Sequence, residues 1–88
     1  MNVYMVSYDL HNSEENRRKV EQSIESIGEY VKCLTTTYFV KTPLSQEDVL
    51  TMASKHLDGD DGMIVVTVQN PVSGWLKTEQ QDQLLDFL

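Results

Sequence analysis

The first residues of the chain have the polarity pattern of a β-strand. Residues 3–8 are rich in β-branched and aromatic side chains at both odd and even positions, which predicts a strand with two largely apolar faces. This run leads directly into Asp9. A carboxylate is costly in the middle of a buried strand, but at a strand end it can pair or bind a cation. We therefore predict that Asp9 lies at the C-terminal end of the first strand.

A helical period follows the first strand. Four apolar residues recur every three or four positions: Val20, Ile24, Ile27 and Val31. Asn12 or Ser13 can accept a hydrogen bond from a free amide of the first turn, and Gly28 is predicted to end the helix in a left-handed turn. The first helix is thus predicted over residues 13–27.

A second helix is predicted to open at Ser45, with Asp48 three residues later in the position of a capping-box acid. Its apolar face comprises Val49, Met52, Ala53 and Leu57. The polar turn at residues 58–62 ends it.

The remaining apolar segments predict strands and one further helix. Residues 30–42 favour two antiparallel strands that turn near residues 34–36, with a single bent strand as the alternative. Residues 63–68 are almost continuously apolar, as expected for a central strand covered by helices or by a partner. Residues 72–76 can form a short extra strand, and residues 79–88 have leucines at helical spacing.

This order of elements is that of a ferredoxin-like βαββαβ sandwich of the α+β class, in which both helices cover one face of an antiparallel sheet. We assign residues 1–70 to this domain and residues 71–88 to a C-terminal extension with dimer contacts. The second sheet face is left to meet another subunit. The predicted interface residues are Tyr4, Val6, Tyr8 and Trp75, where Trp75 either anchors in a partner's pocket or covers its own core.

Composition narrows the choice of partners. An 88-residue chain buries only about 60–65% of its unfolded surface and is marginally stable alone, so a homodimer is expected. The net charge of −7 disfavours broad nucleic-acid binding and indicates either a charged, well-solvated surface or a basic protein partner. One cysteine, Cys33, and no signal peptide predict the cytoplasm. No apolar run reaches the ~20 residues of a membrane span.

Several short motifs together resemble one known superfamily. They are Tyr8-Asp9 ending the first strand, Gly28 after the helix, residues 36–42, Leu44-Ser45, the turn at residues 58–62 and Gly74-Trp75-Leu76. In this combination the chain resembles the Cas-two-type superfamily, which includes the small CRISPR-associated adaptation protein, the VapD-like toxins and the SinR-like proteins. The SinR-like branch, which has no clear assigned function, fits best.

The resemblance implies a homodimer with apposed sheet faces, in which residues 72–76 can add to the partner's sheet. It also implies that Asp9 lies near the two-fold axis, where two copies can hold Mg²⁺ or Mn²⁺ for phosphodiester cleavage. Other members of the superfamily are non-catalytic adaptors. CRISPR-branch members are commonly basic with an Arg-rich first helix; this chain is acidic and matches only through residues 17–19.

Each candidate site residue has a structural alternative. Asp9 either binds the metal or serves the following turn or Arg17. His11 is either a base or a solvated loop residue. Arg17 and Arg18 either contact phosphate or belong to helix-surface pairs of the Glu14–Arg18 type. We predict a non-catalytic homodimeric adaptor with an acidic surface; the alternative is a divalent-metal-dependent endoribonuclease or endodeoxyribonuclease that uses paired Asp9.

Overall fold

The computed structural model describes residues 1–11 and 13–88, so Asn12, one of the two predicted cap residues, lies outside the described residues. Strands and helices follow one another in the predicted order, with a helix after the last strand. The elements are β1 (Asn2–Asp9), α1 (Glu14–Glu25), β2 (Glu29–Leu34), β3 (Thr37–Thr42), α2 (Gln46–Ala53), β4 (Gly62–Thr67) and α3 (Thr78–Phe87). No helix in this described part of the chain is long and apolar enough to cross a membrane.

The strands form one antiparallel sheet in the order β2-β3-β1-β4. β1 is central: Met5 pairs with Phe39 of β3 on one side and with Val66 of β4 on the other. The β1-α1-β2 and β3-α2-β4 connections each cross over the sheet, which gives an α+β architecture that fits the ferredoxin-like class.

The segment over residues 30–42 forms two strands, as predicted, with the turn at residues 35–36. Two other strand predictions are corrected by this topology. The predicted central strand, β4, is an edge strand, because β1 rather than β4 has neighbours on both sides. Residues 72–76 form no strand; they cross the sheet face on their way to α3 instead of running beside an edge, and Pro71 before them has no N–H to donate.

The face of the sheet that carries the even-numbered residues of β1 is the inner face, and α1 and α2 cover it. Its core cluster of buried residues comprises Tyr4, Val6, Tyr8, Val20, Ile24, Ile27, Tyr38, Val40, Val49 and Ala53. Tyr4, Val6 and Tyr8 are therefore core residues, and their assignment to a sheet-to-sheet interface is wrong. Side chains alternate along a strand, so an interface on the opposite face must use the odd-numbered positions of β1.

The opposite face, which we call the outer face, is partly covered by α3. Leu84 of α3 packs with Cys33 and Phe39 in a second cluster of buried residues on the β2–β3 side of the sheet. The second face is therefore partly covered, whereas the sequence had predicted that it would be free. Its uncovered half lies over β1 and β4.

The sequence predicted the first residues of the helices more accurately than their last residues. Ser13 and Ser45 cap α1 and α2, since their hydroxyls accept from the amides of Asn16 and Asp48 at 3.4 and 3.2 Å. α2 ends at Ala53, before the predicted turn, because residues 54–56 already form a turn.

Gly28 does not adopt the left-handed conformation predicted for it, since no glycine in the described chain has positive φ. It is required for close packing: a Cβ there would overlap the Lys41 carbonyl oxygen of β3.

Candidate functional site

Asp9 lies where the sequence placed it, at the end of β1 and opposite Gly62 of β4. It shares the outer face with Ser7, two positions earlier. Its side chain is 83% exposed, and Oδ2 is 3.7 Å from Nε2 of His11. Within residues 1–11 and 13–88 the carboxylate of Asp9 lies beside the His11 imidazole and forms no salt bridge with Arg17. Both side chains of the pair are open to solvent.

An acidic turn adjoins Asp9. Oδ1 of Asp61 accepts a hydrogen bond from the His11 amide at 2.9 Å, and Oδ2 accepts from the Asp58 amide at 3.1 Å. Asp58 in turn accepts from the Asp60 amide at 3.2 Å. These carboxylates hold the turn against the end of β1. Together with Asp9 they make this end of the sheet strongly acidic, and we refer to Asp9, Asp58, Asp60 and Asp61 as the acidic end.

The side chains available as ligands determine whether one chain could hold a divalent ion here. In the described part of the chain, no three His, Cys, Asp or Glu side chains are grouped so that they could hold a metal. Mg²⁺ and Mn²⁺ prefer several oxygen ligands. A metal site at Asp9 would therefore need ligands from a second copy.

The basic residues of α1 do not join Asp9. Arg17 faces the inner side of the sheet near Glu21. Burial favours the protonated form of Glu21, but hydrogen bonds from Lys32 and Tyr8, with a smaller contribution from the charge of Arg17, lower its pKa. Arg18 and Lys19 border a shallow exposed depression on α1 together with Glu15. The predicted Glu14–Arg18 ion pair is absent from the described residues. Arg17 and Arg18 therefore lie on the helical layer, away from the outer face that carries Asp9.

Two tyrosine–carboxylate pairs between α1 and the sheet were not predicted from the sequence. The Tyr8 hydroxyl donates to Oε2 of Glu21 at 2.6 Å, and Lys32 Nζ donates to the same oxygen at 2.8 Å. The Tyr38 hydroxyl donates to Oε2 of Glu25 at 2.6 Å. The signal available in the sequence was the spacing of the two acids, four residues apart beside the apolar face of α1.

The pKa values of these groups follow from their surroundings. Burial, followed by the hydrogen bond to Glu21, raises the pKa of Tyr8, and burial followed by the bond to Glu25 raises that of Tyr38. Burial of Glu21 by itself favours its protonated form, but the hydrogen bonds from Lys32 and Tyr8 outweigh it and lower the pKa of Glu21. The tyrosines therefore stay protonated donors and Glu21 an ionised acceptor, which is a structural arrangement.

The uncovered half of the outer face carries an apolar strip. Its residues pair across two neighbouring strands, Met5 with Val66 and Ser7 with Ile64. Ile64 is 59% exposed, and Val66 is also exposed. We call Met5, Ser7, Ile64 and Val66 the outer strip. It contains no charged side chain in a chain whose net charge is −7, and it ends at Asp9.

An apolar groove continues the outer strip toward α3. This outer groove has a volume of about 240 Å³ and is bounded by the sheet, by α3 and by the segment over residues 72–76. Met5 belongs to both the strip and the groove. The groove walls carry no charged side chain; the principal apolar ones are Met5, Cys33, Phe39, Leu76, Leu84 and Leu85. Trp75 stands at the rim, 98% exposed.

Comparison with known proteins bears on the fold. No family model matches the chain, and no curated protein matches it. Among solved structures, the chain is similar to a hypothetical protein, TT1823 from Thermus thermophilus, with a TM-score of 0.64 and 24% identity over 86% of this chain and 94% of that one. The two proteins share a fold, and the description of TT1823 as hypothetical gives no activity.

Proposed function

We propose that this protein is a non-catalytic homodimeric binding protein whose subunits associate through the outer strip. The observation that carries this proposal is the exposed, uncharged apolar surface on the β1–β4 half of the sheet. Ile64 and Val66 are exposed there, although most large apolar side chains of so small a domain are needed inside. Contiguous exposed apolar surface of this kind is typical of an interaction site.

The distribution of charge supports a binding role with a protein partner. The acidic end is built around carboxylates that hold their own turn, and it lies at the edge of the strip. Two copies joined through the strip would present two such acidic surfaces. A basic protein segment would be attracted to them, whereas a nucleic-acid backbone would be repelled.

We also infer that the chain has the ferredoxin-like fold in the strict sense and belongs to the Cas-two-type superfamily, nearest to its SinR-like branch. The sheet order supports this assignment. So do the places of the motifs: Tyr8-Asp9 ends β1, Ser45 caps α2, and the polar turn precedes β4. Cys33 is buried as a free thiol, which is compatible with the cytoplasm.

The dimer is tested by sedimentation or light scattering of the Ile64→Lys variant. The wild-type chain should have twice its 10.1 kDa mass, and Ile64→Lys should be a monomer, because an unpaired charge would be buried between the sheets. The matched control is Leu50→Lys, an equal charge change at an exposed aliphatic residue of α2. Lysine reduces the net negative charge, so dissociation could not come from greater overall repulsion. A dimeric Ile64→Lys protein would refute the interface.

The binding role is tested by capture from the native host at low and moderate salt. The wild-type dimer should retain a salt-sensitive basic protein, and a variant with Asp9→Asn and Asp60→Asn should lose it. A variant with Glu14→Gln and Glu47→Gln removes the same charge from the helical layer and should behave as the wild type. Equal capture of the basic protein by both variants would show that the acidic end does not bind it.

The position of Asp9 favours one alternative function, a divalent-metal-dependent phosphodiesterase. Asp9 is an exposed carboxylate at the end of the outer strip, so dimerisation through the strip can bring two copies toward one ion. A bound Mg²⁺ or Mn²⁺ would polarise a phosphate and activate water. Calorimetric Mn²⁺ titration of wild-type and Asp9→Asn dimers tests this function, together with cleavage of RNA and DNA. Cleavage that persists in Asp9→Asn would exclude Asp9 from the reaction.

A further inference from the structure

The outer groove and Trp75 form a complementary pair on the surface of one chain. The groove is a mainly apolar cavity of about 240 Å³ lined by no charged side chain, a volume in the range of one large aromatic side chain. Trp75 is the single tryptophan of the sequence, and 98% of its side chain is exposed. An isolated indole in water forgoes the burial of roughly 150–250 Å² that aromatic residues ordinarily reach.

The indole of Trp75 is poorly placed to enter the outer groove of its own chain. Gly74 and Leu76 both line the groove, and Leu76 packs against the second core cluster. Trp75 lies between them and points to solvent. Leu76 is the next residue along the chain and its side chain is held in the second cluster, so a backbone rotation that brought Trp75 inward would displace Leu76 from its packing. If the indole is buried, it must therefore be covered from outside the chain.

We propose that Trp75 of each subunit inserts into the outer groove of a second copy. This inference rests on the proposed homodimer and specifies how its subunits interlock. A projection and a hollow on the same face make a self-complementary surface, which is what a two-fold interface requires. A rotation axis between Trp75 and the groove places each indole in the other subunit's hollow, and both contacts form together.

The area needed for a stable dimer supports the second copy as the occupant. A specific interface buries about 1,200–2,000 Å² in total, and the outer strip offers four side chains, of which two are exposed. Two inserted indoles bury roughly 300–500 Å² of their own surface and a similar area of groove. The groove also continues the strip through Met5, so strip and groove belong to one contiguous surface.

Charge favours a second copy as well. Two chains of net charge −7 repel each other over most orientations. The outer strip and the walls of the outer groove carry no charged side chain, so this pairing avoids close contact between carboxylate side chains at its centre. Residues at the centre of a stable interface are typically aromatic and free of like charge.

The experiment is a dilution series of the native protein followed by Trp75 fluorescence and by sedimentation velocity. As dimers dissociate, the emission should shift to the red and acrylamide quenching should increase, at the same protein concentration at which the mass falls by half. The chain has one tryptophan, so the signal needs no labelling. A dimer whose Trp75 stays fully quenchable would overturn the inference while leaving the proposed dimer in place.

Two variants test the two sides of the contact. Trp75→Ala removes the projection, and Leu85→Lys changes the groove wall at a side chain that is 62% exposed, so both should fold. A central aromatic contact is worth about thirtyfold in affinity, and the dimer has two, so each variant should raise the dissociation constant about 10³-fold. Leu50→Lys is the charge-matched control and should dimerise as the wild type does.

The outcomes separate this inference from the proposed function. If Trp75→Ala and Leu85→Lys dimerise normally while Ile64→Lys does not, the strip is the interface and the indole exchange is wrong. If the wild-type protein is monomeric at all concentrations, with Trp75 exposed, both proposals fail. Loss of dimer in Trp75→Ala but not in Leu85→Lys would place the indole outside the groove and also refute the exchange.

Discussion

Replacing Tyr8 by Phe removes one hydroxyl and leaves the packing of the inner face unchanged. That hydroxyl donates to Oε2 of Glu21 at 2.6 Å, between the buried end of β1 and α1. The aromatic ring, which stacks with Tyr38 at a centroid distance of 6.3 Å, is kept. The substitution therefore isolates the tyrosine–carboxylate hydrogen bond.

The expected loss follows from the partners that remain. A hydrogen bond to a charged group contributes about 1.5–3 kcal/mol. Glu21 keeps its bond from Lys32 at 2.8 Å, so it is not left buried and unpaired. We therefore expect the lower part of that range, about 1.5–2 kcal/mol. For a domain of this size the melting temperature should fall by roughly 6–16 °C.

The effect should depend on pH with a definite sign. Burial alone would raise the pKa of Glu21, but the bonds from Lys32 and Tyr8 prevail and lower it from its ordinary value of 4.5. A carboxyl whose folded pKa is lowered contributes stability that is fully present above the unfolded pKa and is lost as pH falls through the folded pKa. The difference between wild type and Tyr8→Phe should stay constant from pH 7 to about pH 5, and it should then shrink as the pH falls through the folded pKa of Glu21.

The assay is chemical and thermal unfolding followed by circular dichroism, at equal protein concentration because dimerisation shifts the transition. Tyr30→Phe is the control, since the Tyr30 hydroxyl is exposed and makes no hydrogen bond in the described part of the chain; it should change stability by less than about 0.5 kcal/mol. A double-mutant cycle with Glu21→Gln measures the coupling. Equal losses in Tyr8→Phe and Tyr30→Phe, or a loss independent of pH, would refute this account.

Three further substitutions test the packing and the caps by the same unfolding assay. Gly28→Ala should cost at least about 2–3 kcal/mol, because its Cβ would overlap a backbone carbonyl of β3, whereas Gly59→Ala, with no atom within 4 Å of the added carbon, should be nearly neutral. Leu84→Ala should cost about 2–5 kcal/mol by opening a cavity under α3; Leu50→Ala, at an exposed site, should cost far less, and equal losses would contradict the packing of α3. Ser45→Ala should cost about 1 kcal/mol by removing the α2 cap, and no change would show that the 3.2 Å bond adds nothing.

Features that depend on neighbours in the chain were predictable. The turn at residues 35–36, the caps at Ser13 and Ser45, and the place of Asp9 at the end of β1 each follow from local propensity or from a short side-chain-to-backbone bond. The order of strands and helices followed from their periods, and that order restricts the sheet to few topologies.

Features that depend on which surfaces meet were not predictable in the same way. β1 is apolar on both faces, so its sequence allowed either face to be the core, and the wrong one was assigned to the interface. The polar residues Ser7 and Asp9 share the outer face, and that was the available signal. The edge position of β4 was hidden because its outer side chains, such as Ile64, are apolar although exposed. The packing of α3 on the outer face is likewise a long-range contact.

The place of the two-fold axis links the candidate functions. An axis perpendicular to β1 and passing near Met5, where the strip meets the groove, leaves each Asp9 about 13 Å from the axis at 3.3 Å per residue, so the two carboxylates lie about 26 Å apart and cannot share an ion. An axis that runs along β1 keeps both Asp9 residues at one end of the dimer, where opposed sheets are about 10 Å apart. Only the second arrangement allows a shared metal site, so the distance between the two Asp9 positions in the dimer separates a purely structural dimer from one that retains the geometry for metal binding.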